Sequence, residues 1–291
     1  MISLQSLRNA LLDLLQRLEG TEVKLIIGGG FGIFLKTEHV RAGEVRTLIA
    51  PEAWPEARST NDIDLFLRPE LLIASEKLKP LASAIYALGY DVAAGAEKYQ
   101  FVKPGPDGSN AGSFKIDVLT GPRAAFAGSG LQVDARRVRP KPSINLHAHP
   151  VDEATTLERN LLPYAVTGRL SSGEAWQGEV HLPHPFTFAM MKLFAFRDRL
   201  NDPEKDHGSY HALDLYSIIA TTTETEWREA LRLRDECQMH PLVIEAGQIV
   251  AEHFAEPERM GMIRLRESPY FRDQFRLTDF ASALVELFPR R

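Results

Sequence analysis

Two short stretches, "NDIDLFL" (61–67) and "SFKIDVLT" (113–120), constrain the fold of this 291-residue chain more than any other feature. Side chains alternate sides along a strand, so Asp62, Asp64 and Phe66 share one face while Ile63, Leu65 and Leu67 share the other. The same spacing sets Lys115, Asp117 and Leu119 opposite Phe114, Ile116 and Val118. Each strand thus offers a core one apolar face and carries carboxylate on the reverse. Two readings follow. Asp62 and Asp64 face water from a solvated edge, or the strands are neighbours in one sheet and Asp62, Asp64 and Asp117 converge. Converging carboxylates repel one another, and a divalent cation relieves that repulsion. An all-oxygen ligand set favours Mg²⁺ or Mn²⁺ over zinc.

The surrounding pattern predicts an α/β (α+β) chain: a small mixed-sheet domain followed by an all-helical C-terminal domain. Leu4, Leu7, Leu11, Leu14, Leu15 and Leu18 recur at helical spacing among charged residues, an amphipathic helix rather than a signal peptide. Val23 to Ile27 read as a buried strand entering a glycine turn, and "FGIFLKTEHV" as a short helix or extended element. "TLIAPEAWPEARST" is loop-like. The helical stretch 69–90 is kinked or divided at Pro80. "EKYQFVKP" and "SFKIDVLT" are strands separated by the turn signal "GPDGSNAG". Gly, Pro, Ser and Ala then dominate up to "HLPHPF", which reads as irregular connection with at most one strand or helix, and everything beyond is helical. The expected domains are 1–135, an irregular connection 136–180, and 181–291.

Hydrophobic residues make up 44% of the chain and no apolar run approaches the ~18 residues of a membrane span, so the expectation is a cytoplasmic protein without membrane association. The single cysteine, Cys237, excludes an intrachain disulfide and fits a reducing compartment. A net charge of −5 excludes a general polyanion binder. Any nucleic-acid contact must be local, and "ARRVRPKP" (Arg136, Arg137, Arg139, Lys141) is either such a patch or a solvated basic linker. The histidine pairs His147/His149 and His181/His184 lack the spacing of a zinc set.

"IIGGGFGIFL" places Gly28, Gly29 and Gly30 directly after the first strand, where bare backbone N–H groups and a helix N-terminus suit a phosphate. No Gly-Lys-Ser/Thr follows, so this is not a Walker loop. The glycine turn, the "R-x-T-x-D-I-D" run (Arg58, Thr60, Asp62, Asp64) and the later Asp117 together resemble the polymerase-β-like nucleotidyltransferase superfamily. The resemblance implies that Gly29 and Gly30, with Gly28 beside them, hold nucleotide phosphates near Arg58 and Thr60. It implies that Asp62, Asp64 and Asp117 hold Mg²⁺ or Mn²⁺.

The stretch "MMKLFAFRDRL…EKDHGSYHALDLYSII" further resembles the AbiEii/AbiGii-type toxin nucleotidyltransferases. That implies a phosphate-contacting Lys192, a supporting Arg197, and an acidic position at Asp206 or Asp214. Seven residues separate these two aspartates, a departure from the compact family form that leaves the choice open, with Asp214 favoured. Lys192 is notable without the family, because Phe188, Ala189, Ala195 and Phe196 surround it on a helix. Its ammonium either reaches the surface or meets a buried anion. The resemblance implies an NTP (ATP among them) as donor, RNA such as a tRNA 3′ end or a protein as acceptor, a cognate antitoxin, and a monomer. A small-molecule acceptor of the aminoglycoside type, or a non-catalytic nucleotide-binding regulator, are the alternatives.

Overall fold

The computed structural model describes residues 3–104, 113–142 and 144–290. The turn signal at 105–112 lies outside them. The fold is mixed α/β with a helical C-terminal region. Two compact units are each drawn from two segments: Met1–Gly32 with Ser59–Pro183, and Ile33–Arg58 with His184–Arg291. Residues 136–180 belong to the first. Among the described residues no helix is long and apolar enough to cross a membrane.

The first unit opens with α1 (Leu4–Arg17), whose Ser3 side chain caps it by accepting from the Ser6 amide. This satisfies one of the otherwise open first-turn donors. Leu7, Leu11, Leu12 and Leu14 are fully buried, and α1 lies on the sheet over β9 (Leu162–Arg169) and β10 (Ala175–Leu182). The remaining strands are β1 (Ile26–Ile27), β2 (Asp62–Leu67), β3 (Asp91–Val92), β4 (Gln100–Lys103), β5 (Phe114–Thr120) and β8 (His149–Pro150). The sheet order is β3-β4-β5-β2-β1-β10-β9, with β8 also on β5. A separate two-stranded ribbon joins β6 (Gln132–Val133) to β7 (Val138–Arg139). The strand carrying Asp62 and Asp64 is therefore central, flanked by β5 and β1, and the solvated-edge reading does not hold.

Pro80 falls in the first turn of α4 (Lys79–Ala87), where its missing N–H costs nothing, so the helical stretch is divided into α3 (Pro69–Ile73), a 3₁₀ turn and α4. One expectation changes. The supposed irregular connection holds two long strands, β9 and β10, paired antiparallel over eight residues and joined through β10 in parallel to β1. Tyr164, Val166, Val180 and Leu182 bury one side of this hairpin, and Gly173, at φ 91°, turns it. The alternation is short, and abundant small residues hide it.

The second unit is helical: most of α2 (Gly29–Gly43), then α5 (Pro185–Arg199), α6 (Ser209–Ala220), α7 (Glu224–Cys237), α8 (Pro241–His253), α9 (Met260–Glu267) and α10 (Leu277–Leu287). Its core is aromatic. Tyr216 stacks on Phe275 at 4.3 Å, and Phe196 packs on Phe254 at 4.8 Å. The buried Tyr216 hydroxyl donates to the Ala53 carbonyl (3.0 Å) and accepts from the Arg276 amide (2.9 Å), so its polar end is paired inside the core. Thr223 and Glu226 form a capping box on α7. The same Glu226 meets the buried Lys36 of α2 at 2.6 Å. Burial lowers the lysine's pKa; burial also opposes ionisation of Glu226, but Lys36 outweighs it and the carboxyl sits below its ordinary value. The cap and Lys36 Nζ together hold the Glu226 carboxyl in place.

Candidate functional site

The predicted residues fall into two clusters, one in each unit. In the first, β2 and β5 pair in parallel with Asp64 directly beside Asp117 and Asp62 beside Lys115. On the other flank Gln100 of β4 pairs with Asp117. Period-two alternation on neighbouring strands thus brings the acidic positions onto one sheet face. Asp117 Oδ1 accepts from Gln100 Nε2 at 2.7 Å. Burial raises the Asp117 pKa, with Asp62 adding to the rise, against the lowering by Gln100, Lys115 and His149.

Asp62 is half-exposed, yet its Oδ1 is shut off from solvent and, among the described residues, accepts no hydrogen bond. Lys115 Nζ is 3.9 Å away, an ion-pair distance but too long for a hydrogen bond. A buried acceptor without a donor is costly unless something meets it. Thr60 Oγ1 accepts weakly, at 3.4 Å, from the Asp62 amide at the entry to the strand.

The glycine turn is fitted to this face. The Gly28 amide donates to the Asp64 carbonyl at 2.9 Å, and a Cβ on Gly28 would lie 2.5 Å from the Phe66 ring. Gly29 opens α2 at φ +60°, and a Cβ there would sit 1.5 Å from Asp64 Oδ2. Only glycine gives both the left-handed backbone and the clearance. Gly30 lies in the first turn of the same helix.

We expect Gly29→Ala to destabilise the chain by more than Gly95→Ala. Gly95, at φ +77°, has nothing within 4 Å of its virtual Cβ, so its substitution reports backbone strain alone, about 1–2 kcal/mol. Denaturant midpoints measure the difference, and equal losses would mean that Asp64 does not lean on Gly29.

Among the described residues no group of three or more His, Cys, Asp or Glu side chains is placed so that it could hold a metal ion. The donor chemistry alone is of the kind a hard divalent cation takes: all-oxygen and acidic, with Asp62 Oδ1 unmatched among the described residues. Asp117, turned to Gln100, stands beside it. Gln100 is the member that sequence reasoning missed, and Lys115, already placed on the Asp117 face, was given no role there. Their register opposite the aspartates appears only once the strands are paired.

The second cluster centres on Asp214, which α6 holds buried. Arg58 grips it with a two-pronged bond, Nε to Oδ1 at 2.7 Å and Nη2 to Oδ2 at 2.8 Å. Lys192 Nζ, from α5, reaches Oδ2 at 2.7 Å. Burial alone would raise the Asp214 pKa, but Arg58 and Lys192 outweigh it and hold the carboxyl far below the carboxylate range. Lys192 therefore does not snorkel: a buried anion meets it, and that anion is the chain's own.

Arg58 also lies over the Tyr210 ring at 5.5 Å. Neighbouring His211 is kept neutral, its pKa lowered to about 3 by burial first and by Lys192 next. Asp206 lies apart from this network, exposed in a 3₁₀ turn at φ 49°. Arg197 pairs with Glu245 and Asp198 and covers the Phe194 ring at 4.7 Å. The Lys36–Glu226 pair was also missed, although a lysine inside the apolar run "FGIFLK" and a Thr-x-x-Glu signature were both readable.

Compared with known proteins, the chain matches no family model, no curated protein and no solved structure.

Proposed function

We propose that this chain is a nucleotidyltransferase that moves a nucleoside monophosphate from an NTP to an acceptor hydroxyl with release of pyrophosphate. The observation that carries the reading is the β2–β5 register, which sets Asp64 beside Asp117 and leaves Asp62 Oδ1 buried without a donor among the described residues, next to a glycine turn that abuts Asp64. Asp62 and Asp64, with Asp117 beside them, would hold Mg²⁺ or Mn²⁺, whose Lewis acidity stabilises charge on phosphoryl oxygens. The chain's own residues do the rest. The bare backbone at Gly28 and Gly29 and the N-terminus of α2 favour an anionic phosphate. Asp117, its pKa raised by burial, is suited to accept the acceptor hydroxyl's proton at Oδ2, while Gln100 fixes Oδ1.

The resemblance to AbiEii/AbiGii-type toxins supports a cytoplasmic toxin with a cognate antitoxin, acting on RNA or protein. A second reading, nucleotide binding without transfer, is favoured by one observation: Asp117 is engaged by Gln100.

Incubation with each labelled NTP, Mg²⁺ and total RNA or total protein tests both. We expect label on one acceptor pool. We also expect NTP with Mg²⁺ to raise the melting temperature more than either alone, worth about 2.7 kcal/mol at 100 times the dissociation constant. A thermal shift with no labelled product from any NTP would leave the binding reading and end transfer to RNA or protein. No shift and no product would end both.

A further inference from the structure

The first unit carries a second feature that the carboxylate face does not use. A cavity of about 390 Å³ is lined by Lys98, Gln132, Arg137, Arg139, Lys141 and His147. It gathers Arg137, Arg139 and Lys141 of the basic run beside the β6–β7 ribbon. We propose that this cavity binds phosphate groups, either the phosphodiesters of a polynucleotide or a free polyphosphate.

Charge is the first argument. Four cations line the cavity, and two carboxylates reach them: Glu97 pairs with Arg137 at 2.7 Å and Asp134 with Arg139 at 2.8 Å. Two positive charges remain uncompensated, on a chain whose net charge is −5. The Lys98 ammonium donates to a neutral partner, Asn145 Oδ1, at 3.0 Å, and Lys141 is exposed.

Geometry is the second. Each carboxylate, with Gln132 on Arg139 Nη1 at 2.9 Å, pins the guanidinium by its terminal nitrogens. The Nε–H groups of Arg137 and Arg139 are left shielded from solvent and, among the described residues, without an acceptor. Asp134 Oδ2 lies 4.0 Å from Arg137 Nε, too far to accept. Fixed, fork-shaped donors with spare N–H groups are what a phosphate oxygen takes up. His147 gives its Nδ1 to the Glu97 carbonyl at 2.9 Å, and burial, with the cations around it, lowers its pKa. The imidazole thus contributes neither charge nor competition.

The chain runs from the cavity lining at His147 to the strand that carries Asp117. His149, two residues from His147, pairs through β8 with β5 at Leu119, bears electrostatically on Asp117, and packs its ring 5.4 Å from that of Tyr99. A strand bound by its backbone at the arginines would have these half-exposed rings beside its path. The proposal itself concerns binding, and it stands or falls without transfer activity.

The test uses the full chain, with inorganic tripolyphosphate and a short fluorescein-labelled single-stranded RNA as separate probes. The variant is Arg139→Gln with Lys141→Gln; Lys79→Gln, paired with Glu76 outside the cavity, controls for bulk charge. If the cavity holds a polynucleotide, the double variant weakens RNA binding by about tenfold, and its log–log salt slope falls by ~1.4, for two lost single-strand phosphate contacts. If the cavity holds a free polyphosphate, tripolyphosphate binding alone weakens. The proposal is overturned if neither probe binds the unaltered chain, if a folded double variant binds both as before, or if Lys79→Gln loses as much. Should the double variant not fold, protection of Lys141 from acetylation by either probe on the unaltered chain decides the matter: protection supports the cavity and its absence overturns it.

Discussion

Asp214→Ala should cost about 3–5 kcal/mol of stability, the scale of removing one partner from a buried ion pair. The loss is not chiefly that of the aspartate's own packing. It comes from the two cations left behind, Arg58 without its two bonds to the aspartate and Lys192 buried on the face of α5 that also carries Phe188 and Phe196. Lys192→Met should cost far less, because Arg58 still grips both oxygens of Asp214 and the new side chain is apolar. Arg58→Met, which removes two charge-assisted hydrogen bonds, should fall between them. Urea midpoints across the three variants give the order, and equal losses for Lys192→Met and Asp214→Ala would refute it. Nucleotide affinity in Lys192→Met adds a separate readout: a loss there supports the phosphate-contacting role that the family resemblance implies.

The same residues fix the response to acid. The folded pKa of Asp214 is depressed, so its contribution is complete above the unfolded value of about 3.9 and is lost as pH falls through the folded value below it. The buried histidines act earlier. His184 caps α5 through Nδ1, and burial lowers its pKa to about 4; that of His211 is lowered to about 3. Both must charge as the chain unfolds below about pH 6.5, so stability starts to fall there, well before Asp214 is protonated. In Asp214→Ala the histidine-dependent fall should persist while the aspartate's own contribution to the loss below about pH 4 disappears.

Much of the acidic face was legible because it depends on a period of two. Asp62, Asp64 and Asp117 could be assigned to faces from "DIDLFL" and "KIDVL" alone, since each apolar neighbour had to find a core. Their mutual placement was not legible. Parallel pairing of β2 with β5, one register among several, decides that Asp64 meets Asp117 and that Gln100 joins from the far side. The β9–β10 hairpin escaped because Gly168, Gly173 and Gly178 dilute its alternation and only four large side chains mark its buried side. Lys192 was conspicuous as a lysine on an apolar helix face. Nothing local named its partner, and the arginine that shares it lies 156 residues from Asp214 along the chain. Ion pairs closed over such separations are properties of the fold, and no window of sequence contains them.

The largest effect on activity is expected from Asp64→Asn. The substitution keeps the side chain's shape, so the contact with Gly29 and the packing of Ile63, Leu65 and Leu67 on the far face survive. Folding should be unaffected, since removing one of several crowded negative charges opens no cavity. Transfer should drop by at least ~10²-fold, the scale of losing one preorganised electrostatic group at a transition state. The extra thermal stabilisation by Mg²⁺ with NTP should vanish along with it, which separates loss of the cation from loss of the acceptor. Glu70→Gln, exposed at the start of α3 just past the same strand, is the control and should retain both activity and the Mg²⁺-dependent shift. Full transfer by Asp64→Asn would mean that the carboxylates of this sheet face serve something other than the phosphates, and the nucleotidyltransferase reading would fall with it.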